Sequence, residues 1–530
     1  MKQTRFFEKT LPLYFCVVLL IVMLITVGTQ VKSYGLTTDE GMQSNYGQAV
    51  FAWYRTLGRD QSFLHFPADT HEPEHGPLFV AIVAAAEHLL HHQWNLEAEL
   101  IALSGVLGVI ALGLCGLELG GWWFALLAAL SLWLYPRFFG AIFNNPKDVP
   151  FTTATILVLW STLLLVKQWG QGRKYLRNSL LVAFFLAVAV AIRANAITWY
   201  GILALLGAGW WLLNGKRALQ EQQVARVIKQ QVLAAGMIGA GSAVGILAMW
   251  PYILLNPLVN FYHALTVIAK YPWNGSVLFE GKMQLAVDLP RSYALIWLVI
   301  GSPPALILCA ILGCLVLCGW SLRKKVLDTQ MLVVLLSLAI PLAMIVGMHS
   351  VLYNGLRQLL FLIPAVILLA VYGFLQIFAF LQQKKQTMLA SLLVLLAVGN
   401  MLWLAKGMIE LHPYEYVYFS PLVGGVVGAN GGYEMDYWNT CQKSASTWLG
   451  QHYQQFVASN APTIQGKNIA FQYMTYLPAD FQSVTSTPDF FLDIAPFTPP
   501  QSIPQYQLIH TESVEGVPLC RVYARAIASR

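Results

Sequence analysis

The sequence has few charged residues and many apolar ones. Asp, Glu, Lys and Arg make up only 11% of the 530 residues, whereas 57% are hydrophobic. A soluble globular protein has about 25% charged residues. This shortage excludes an ordinary soluble domain, and the mean hydropathy of +0.58 indicates a chain that crosses a membrane many times.

Metal-type cysteine spacing, a concentrated basic patch and internal repeats are also missing. The chain has seven cysteines, and none of their spacings is typical of zinc ligands. The net charge of +7 comes from basic residues in short runs between apolar segments, so nucleic acid is not an expected partner. Cys441 and Cys520 lie in the polar C-terminal part. They would form a disulfide if that part faces an oxidising compartment and stay free otherwise.

Long apolar runs predict eleven transmembrane helices, since a spanning helix needs about 20 apolar residues. The predicted spans are 11–30, 99–118, 121–138, 150–167, 179–193, 196–213, 232–255, 292–320, 329–347, 357–381 and 387–405. No small-residue cleavage site follows the first run, which favours a retained anchor over a signal peptide. The apolar run at 76–92 is shorter and contains Glu87 and His88. It predicts a helix lying at the membrane surface.

The basic residues predict the orientation of the chain. With the N-terminus inside, the basic loops 168–178, 214–231, 321–328 and 382–386 all lie on the inner side, as the positive-inside rule requires. A span at 76–92 would move them outside, so the charge pattern also favours a surface helix there. The outer face then carries the first outer loop and the whole C-terminal part.

The composition changes after about residue 406, where polar residues, Pro and Tyr become frequent. Short strands are predicted at 467–474, 490–495, 506–510 and 518–525, and an amphipathic helix at 441–456. We therefore expect a mainly α protein in two parts. Residues 1–405 form a polytopic helical bundle with surface helices in the first outer loop, and residues 406–530 form a small outer α/β domain.

Several polar residues gather at the predicted outer face. Asp39 and Glu40 lie in the first outer loop and Asp148 in the second, while Arg193 ends one apolar run and Arg357 begins another. A carboxylate can act as a general base towards a hydroxyl, and an arginine can hold a phosphate by paired hydrogen bonds. Together they favour group transfer from a membrane-bound phosphate ester to an acceptor at the outer surface.

Each of these residues also has a structural interpretation. The adjacent acids could be solvated loop residues, and Asp148 could cap a helix. The two arginines could be anchors that reach for the membrane surface from helix ends. A polytopic transporter would need charged residues near the bilayer midplane, whereas these sit at helix ends. A non-enzymatic membrane assembly protein is the remaining alternative.

The order of the motifs is specific. The segments TTDEG, EHGPLF, NNPKDVPF, AIRAN and LRQLLFLIP follow one another along residues 1 to about 440. In this order the chain resembles the GT-C membrane glycosyltransferases, in the family 39-like group with protein O-mannosyltransferases and aminoarabinose lipid A transferases. Gly76 departs from the family pattern, which usually has proline at this place.

The resemblance implies an inverting transfer of a sugar from a polyprenyl-phosphate donor to a protein, glycan or lipid acceptor. Asp39 would be the general base, Glu40 would orient the acceptor or the base, and Asp148 would support the site. The donor phosphate would be bound by a set of basic residues, namely Arg193, Arg357, Lys147 and His75. No cofactor is expected, and a divalent metal shared by Asp39 and Asp148 is not favoured. The expected location is the bacterial inner membrane, with the site and the C-terminal domain on the periplasmic side.

Overall fold

Helices form most of this computed structural model, which describes residues 9–67, 70–90, 96–169, 173–220, 224–269, 271, 273–324, 328–457, 459–467 and 470–526. Within these ranges the first ten helices are α1 (Leu11–Gln30), α2 (Glu40–Arg55), α3 (Leu78–Leu89), α4 (Leu96–Gly120), α5 (Trp122–Trp133), α6 (Pro136–Ala141), α7 (Asp148–Lys167), α8 (Arg173–Ile192), α9 (Thr198–Gln220) and α10 (Val224–Met249). The next ten are α11 (Pro251–Leu255), α12 (Pro257–Ala269), α13 (Tyr293–Ile300), α14 (Pro304–Lys324), α15 (Thr329–Met348), α16 (Ile363–Gln383), α17 (Thr387–Leu411), α18 (Gly425–Ala429), α19 (Cys441–His452) and α20 (Ala470–Met474).

Eight helices in the described part of the chain are long and apolar enough to cross a membrane. They are α1, α4, α7, α8, α10, α15, α17, and α16 together with the 3₁₀ turn Arg357–Leu362 before it. Each overlaps one of the predicted spans, although α10 ends at Met249 and the span predicted at 232–255 continues past it into α11. The chain is therefore a multi-pass membrane protein with a mainly helical fold.

The other three predicted spans are not among these eight helices. Segment 121–138 holds the 12-residue helix α5, which ends before Pro136 because the residue preceding a proline avoids helical geometry. Segment 292–320 consists of α13 and α14, which meet at an angle of 116°. Segment 196–213 coincides with α9, but the side chains of 212–220 lie outside the described set. The count of eleven spans stays a prediction.

The predicted orientation also stays a prediction. Residues 170–172, 221–223 and 325–327 of the predicted inner loops, and residues 1–8 before the first span, lie outside the described residues. The short apolar helix predicted at 76–92 is present as α3, whose 12 residues are too few to cross a bilayer. It packs against α2.

The strands lie in two small sheets. β1 (Ser276–Phe279) and β2 (Lys282–Leu285) form a hairpin. The C-terminal sheet has the order β4–β3–β5–β7–β6 and contains the strands β3 (Thr463–Gly466), β4 (Gln482–Ser483), β5 (Phe490–Ile494), β6 (Tyr506–Val514) and β7 (Val517–Arg525). β3 pairs in parallel with β4 and β5, and the other pairings are antiparallel. The three strands predicted between 490 and 525 and the helix predicted at 441–456 are present.

The strand predicted at 467–474 is wrong, because residues 470–474 form α20. An apolar run this short does not separate the helical from the strand period. Gln472 and Tyr473 are consecutive and both buried, which a helix packed on two sides allows and a one-sided strand does not. Residues 468–469 lie outside the described part.

The C-terminal part packs against the membrane helices and is itself cross-linked by a disulfide. One hydrophobic cluster contains Leu359 near the start of α16, Trp438, and Cys520 of β7. Cys441 at the start of α19 is bonded to Cys520, with the two Cα atoms 5.8 Å apart. α17 continues to Leu411, and the division of the chain at residues 405 and 406 stays a prediction.

Candidate active site

Six of the seven predicted site residues line one cavity. Its volume is about 1250 Å³ including the space continuous with solvent. The six are Asp39, His75, Lys147, Asp148, Arg193 and Arg357. They lie just before α2, before α3, at the start of α7, after α8 and before α16. The predicted convergence of helix ends from distant parts of the sequence is thus present in the structure.

Asp39 lies at the start of α2 and faces Arg357. Its side chain makes no hydrogen bond that caps the helix. Instead Oδ2 accepts a hydrogen bond from Nη1 of Arg357 at 3.1 Å, and the arginine also packs over the ring of Tyr353. Arg357 is buried, so it is not an anchor reaching towards the membrane surface.

Asp148 and Arg193 form a second ion pair, with Oδ1 and Nη2 2.7 Å apart. The turn before α7 positions the carboxylate. Asn145 accepts hydrogen bonds from the backbone N–H groups of Lys147 at 2.8 Å and Asp148 at 2.6 Å, and its amide donates to Oδ2 of Asp148. Asp148 is therefore the first residue of the helix rather than its side-chain cap, and Asn145 fixes the turn that leads into the helix.

A third ion pair joins Lys147 to Glu72, whose Oε2 lies 3.1 Å from Nζ of the lysine. Glu72 was not among the predicted site residues. Its position within HEPEHGPL, next to the predicted His75, was the signal in the sequence. Because both partners are buried, removing either one would leave an uncompensated charge.

His75 reaches the cavity because Gly76 allows the loop to approach α8. A Cβ atom on Gly76 would lie 2.3 Å from the carbonyl oxygen of Ala191, so this position needs a glycine. Nδ1 of His75 is 2.8 Å from the carbonyl oxygen of His71. Burial, the nearby charge of Lys147 and that of Arg193 lower the pKa of His75 well below its usual range, against a weaker opposite effect of the bond to His71.

Glu40 is the exception among the predicted residues, since it is buried and does not line the cavity. Its Oε2 accepts a hydrogen bond from the backbone N–H of Thr37 at 2.8 Å. Burial, with the nearby carboxylate of Glu97, raises the pKa of Glu40 well above its usual range, although the bond from Thr37 opposes this. Its contacts are those of a residue that shapes the turn carrying Asp39, and its predicted role towards the acceptor stays a prediction.

Aromatic side chains form one wall of the cavity, and the sequence reasoning did not select them. Trp273 stacks on Tyr353 with ring centres 4.2 Å apart, and Tyr353 lies beside Tyr271. Tyr437 and Trp438 from the C-terminal part also line the cavity. The available signal was the run of aromatic residues next to predicted outer helix ends.

A second, mostly apolar cavity adjoins the first. It encloses about 1160 Å³ including open space and shares with the first cavity the residues His75, Arg193, Tyr271 and Tyr353. Beyond them its walls come largely from α12 and α15, with apolar side chains such as Leu265, Ile268, Met344 and Met348. Arg193 therefore stands at the junction between a polar chamber and an apolar one.

The acids in the cavity are engaged by cations rather than gathered around a common point. Among the described residues, no group of three or more His, Cys, Asp or Glu side chains is arranged to hold a metal ion. Asp39 and Asp148 each pair with a different arginine. The expectation that the reaction needs no metal stays a prediction.

The fold is that of the GT-C membrane glycosyltransferases, as the motifs predicted. The chain is similar to ArnT from Cupriavidus metallidurans bound to undecaprenyl phosphate, with a TM-score of 0.51, 13% identity, and 97% of this chain and 98% of that chain covered. It is also similar to an Archaeoglobus fulgidus oligosaccharyltransferase tethered with an acceptor peptide, with a TM-score of 0.51 and 12% identity over 87% of this chain. The match spans 62% of the length of that archaeal protein. The chain matches no protein-family profile and no curated protein.

Proposed function

We propose that the protein is an inverting membrane glycosyltransferase that moves a sugar from a polyprenyl-phosphate donor to an acceptor at the outer face. The observation that carries this proposal is the junction of the two cavities. A lipid chain fits the apolar one, and a phosphate at its end would meet Arg193 where the polar cavity begins. The solved ArnT structure holds undecaprenyl phosphate, which supports the same class of donor here.

The proposed step uses the paired charges of the polar cavity. Asp39 takes the proton of the acceptor hydroxyl while that oxygen attacks the anomeric carbon. The bond from this carbon to the phosphate oxygen breaks, and its electron pair leaves with polyprenyl phosphate. Arg193, Arg357 and Lys147 stabilise the charge that grows on the leaving phosphate, because fixed cations favour a transition state that gains negative charge.

Exposure favours Asp39 over the other carboxylates as the base. Its side chain is 38% exposed, whereas those of Asp148 and Glu72 are 3% exposed. A base must come within hydrogen-bond reach of the acceptor. Asp39 keeps this access although it pairs with Arg357, whereas a carboxylate that is only 3% exposed is poorly placed to meet an acceptor.

We further propose that the protein lies in a bacterial cytoplasmic membrane with the cavity on the periplasmic side. The disulfide between Cys441 and Cys520 supports this, since disulfides persist in the periplasm and not in the cytosol. Trp438 and Asn439, which directly precede the disulfide-bonded helix, line the cavity. The cavity and the disulfide therefore belong to the same face.

The test uses the purified protein in lipid nanodiscs and a panel of polyprenyl-phosphate sugars. We expect release of free polyprenyl phosphate with one donor, and we expect Asp39→Asn to lower the rate by about 10²- to 10⁴-fold, the usual contribution of a general base. Asp288→Asn is the matched control, because Asp288 is exposed and does not line the cavity. Equal rates for wild type and Asp39→Asn would exclude Asp39 as the base.

A further inference from the structure

We propose that Gln472, in the C-terminal part, is a positioning residue for Asp39. It holds the backbone of residues 34–38, which we call the 34–38 segment and which leads directly into Asp39. This inference deepens the proposed function and rests on it for the role of Asp39. It makes the C-terminal part a component of the active site rather than a separate module for binding acceptors.

The side chain of Gln472 is buried, with 2% of the residue exposed, and its amide is fully engaged. Nε2 donates to the carbonyl oxygen of Leu36 at 2.7 Å. It also contacts the carbonyl oxygens of Trp438 at 2.7 Å and Asn439 at 3.1 Å. Oε1 accepts from Nε2 of Gln442 at 3.0 Å. One amide therefore joins the 34–38 segment to Trp438 and Asn439, which also line the cavity.

Neighbouring side chains complete this arrangement. The hydroxyl of Tyr476 accepts a hydrogen bond from the backbone N–H of Leu36 at 2.8 Å. Nζ of Lys443 donates to the carbonyl oxygen of Tyr34 at 2.9 Å, and the amide of Asn439 donates to Oγ1 of Thr38 at 3.1 Å. These donors and acceptors all come from residues beyond 438. Side chains of the C-terminal part thus supply hydrogen bonds to the backbone of Tyr34 and Leu36.

The 34–38 segment packs closely against the start of α19. A Cβ atom on Gly35 would lie 2.6 Å from the carbonyl oxygen of Thr440, so this glycine lets the segment lie directly on the start of α19. Buried backbone groups need partners, and here Gln472 supplies the one for Leu36. Losing it would let the segment open and move Asp39, and a displacement of about 1 Å can lower a catalytic rate by about 10²-fold.

The test compares Gln472→Met and Gln472→Glu with Gln507→Glu. Methionine keeps the length of the side chain but has no donor, while glutamate places a carboxylate against three carbonyl oxygens. Gln507 is exposed on β6, so its replacement controls for an added charge. Tyr476→Phe, which removes only the hydroxyl that accepts from the N–H of Leu36, is the milder variant of the same network for the case in which a Gln472 variant does not fold.

Two measurements keep the inference separate from the proposed function. Hydrogen–deuterium exchange at residues 34–41 needs no substrate, and we expect it to rise in the Gln472 variants and not in Gln507→Glu. In the release assay we expect kcat to fall about 10- to 100-fold with little change in the KM for the donor. Unchanged exchange in both Gln472 variants would overturn the contact. Raised exchange with an unchanged kcat would overturn the positioning role. No release by the wild type with any donor would count against the proposed function and leave the exchange result standing.

Discussion

At the scale of single residues, the environment of each cavity side chain separates its role from that of its neighbours. Asp39, Asp148 and Glu72 are chemically alike, and each pairs with a cation. Asp39 alone of these three is substantially exposed to the cavity. Neutralising one member of a buried ion pair leaves the charge of the other uncompensated, which is costly. Asp148 and Glu72 are therefore better suited to holding Arg193 and Lys147 in place than to accepting a proton.

His75 is a neutral acceptor rather than a cation. A carbonyl oxygen can only accept, so the contact to His71 places a proton on Nδ1 of the ring. Because the pKa is lowered and the ring is neutral, Nε2 carries a lone pair and no proton. In that form His75 cannot donate to a phosphate oxygen, which weakens the case for its predicted role in donor binding. Nε2 could instead accept a hydrogen bond from an acceptor hydroxyl.

The lowered pKa of His75 predicts a pH dependence of stability. Below the ordinary histidine pKa of 6.5 the unfolded chain binds a proton that the folded chain refuses, so stability falls as the pH drops. His75→Gln does not titrate and should lose less stability between pH 6.5 and pH 5. The melting temperatures of the two proteins should differ by a constant amount above pH 7.5. Parallel curves over the whole range would contradict the neutral assignment.

At the scale of elements, two of the unpredicted breaks in apolar segments lie next to each other. Tyr135 lies between the end of α5 and Pro136, where α6 begins. Its hydroxyl lies 3.0 Å from the carbonyl oxygen of Gly301 and 2.8 Å from Oγ of Ser302. Gly301 and Ser302 form the break between α13 and α14. Inside a membrane protein, backbone groups freed by a break need partners. One broken segment therefore supplies a partner to the other.

The hydroxyl of Tyr135 should consequently contribute to folding stability. Tyr135→Phe removes the bond and leaves the carbonyl of Gly301 without this buried donor, at a cost of about 1–3 kcal/mol. We expect a lower melting temperature in detergent or nanodiscs. Tyr14→Phe is the control, since Tyr14 is 68% exposed on α1. A melting temperature equal to that of the control would show that the breaks do not support each other through this hydroxyl.

At the scale of the whole molecule, hydropathy and motif order carry the prediction of the fold and of the shared face. Apolar length predicts a spanning helix whatever its neighbours are, and charges at the ends of predicted spans identify which residues can converge. The prolines at 136, 303 and 304 were the signal for the breaks, and the length rule gave them too little weight.

The contacts that complete the site join residues far apart in sequence. Glu72 pairs with Lys147, and Gln472 bonds to Leu36, which precedes it by 436 residues. A single sequence can point to a residue such as Glu72 by its neighbours, but it has no local pattern that shows which distant residue will be its partner. Gln472 was placed in a predicted strand, where its side chain would have had no reason to reach Leu36. The identity of these residues depends on how the C-terminal part docks, which only the packed structure provides.

The disulfide gives a global test of this docking. Cys441 begins α19, whose first residues lie against the 34–38 segment. Cys520 lies in β7, between β5 and β6 in the C-terminal sheet. A disulfide stabilises by about 2–4 kcal/mol in the usual case. We expect Cys441→Ser/Cys520→Ser to melt at a lower temperature than wild type and to show faster hydrogen exchange at 34–41.

The control for this prediction is Cys318→Ser, which removes an exposed cysteine outside the disulfide. It should leave both quantities unchanged. Because the disulfide fastens α19 and the sheet to each other, and Gln442 and Lys443 of α19 contact Gln472 and the 34–38 segment, loosening it should pass to Asp39 through the same contacts. A double serine variant that melts at a lower temperature but keeps wild-type exchange at 34–41 would mean that the disulfide stabilises the C-terminal sheet alone. The 34–38 segment would then be held by packing against the membrane helices.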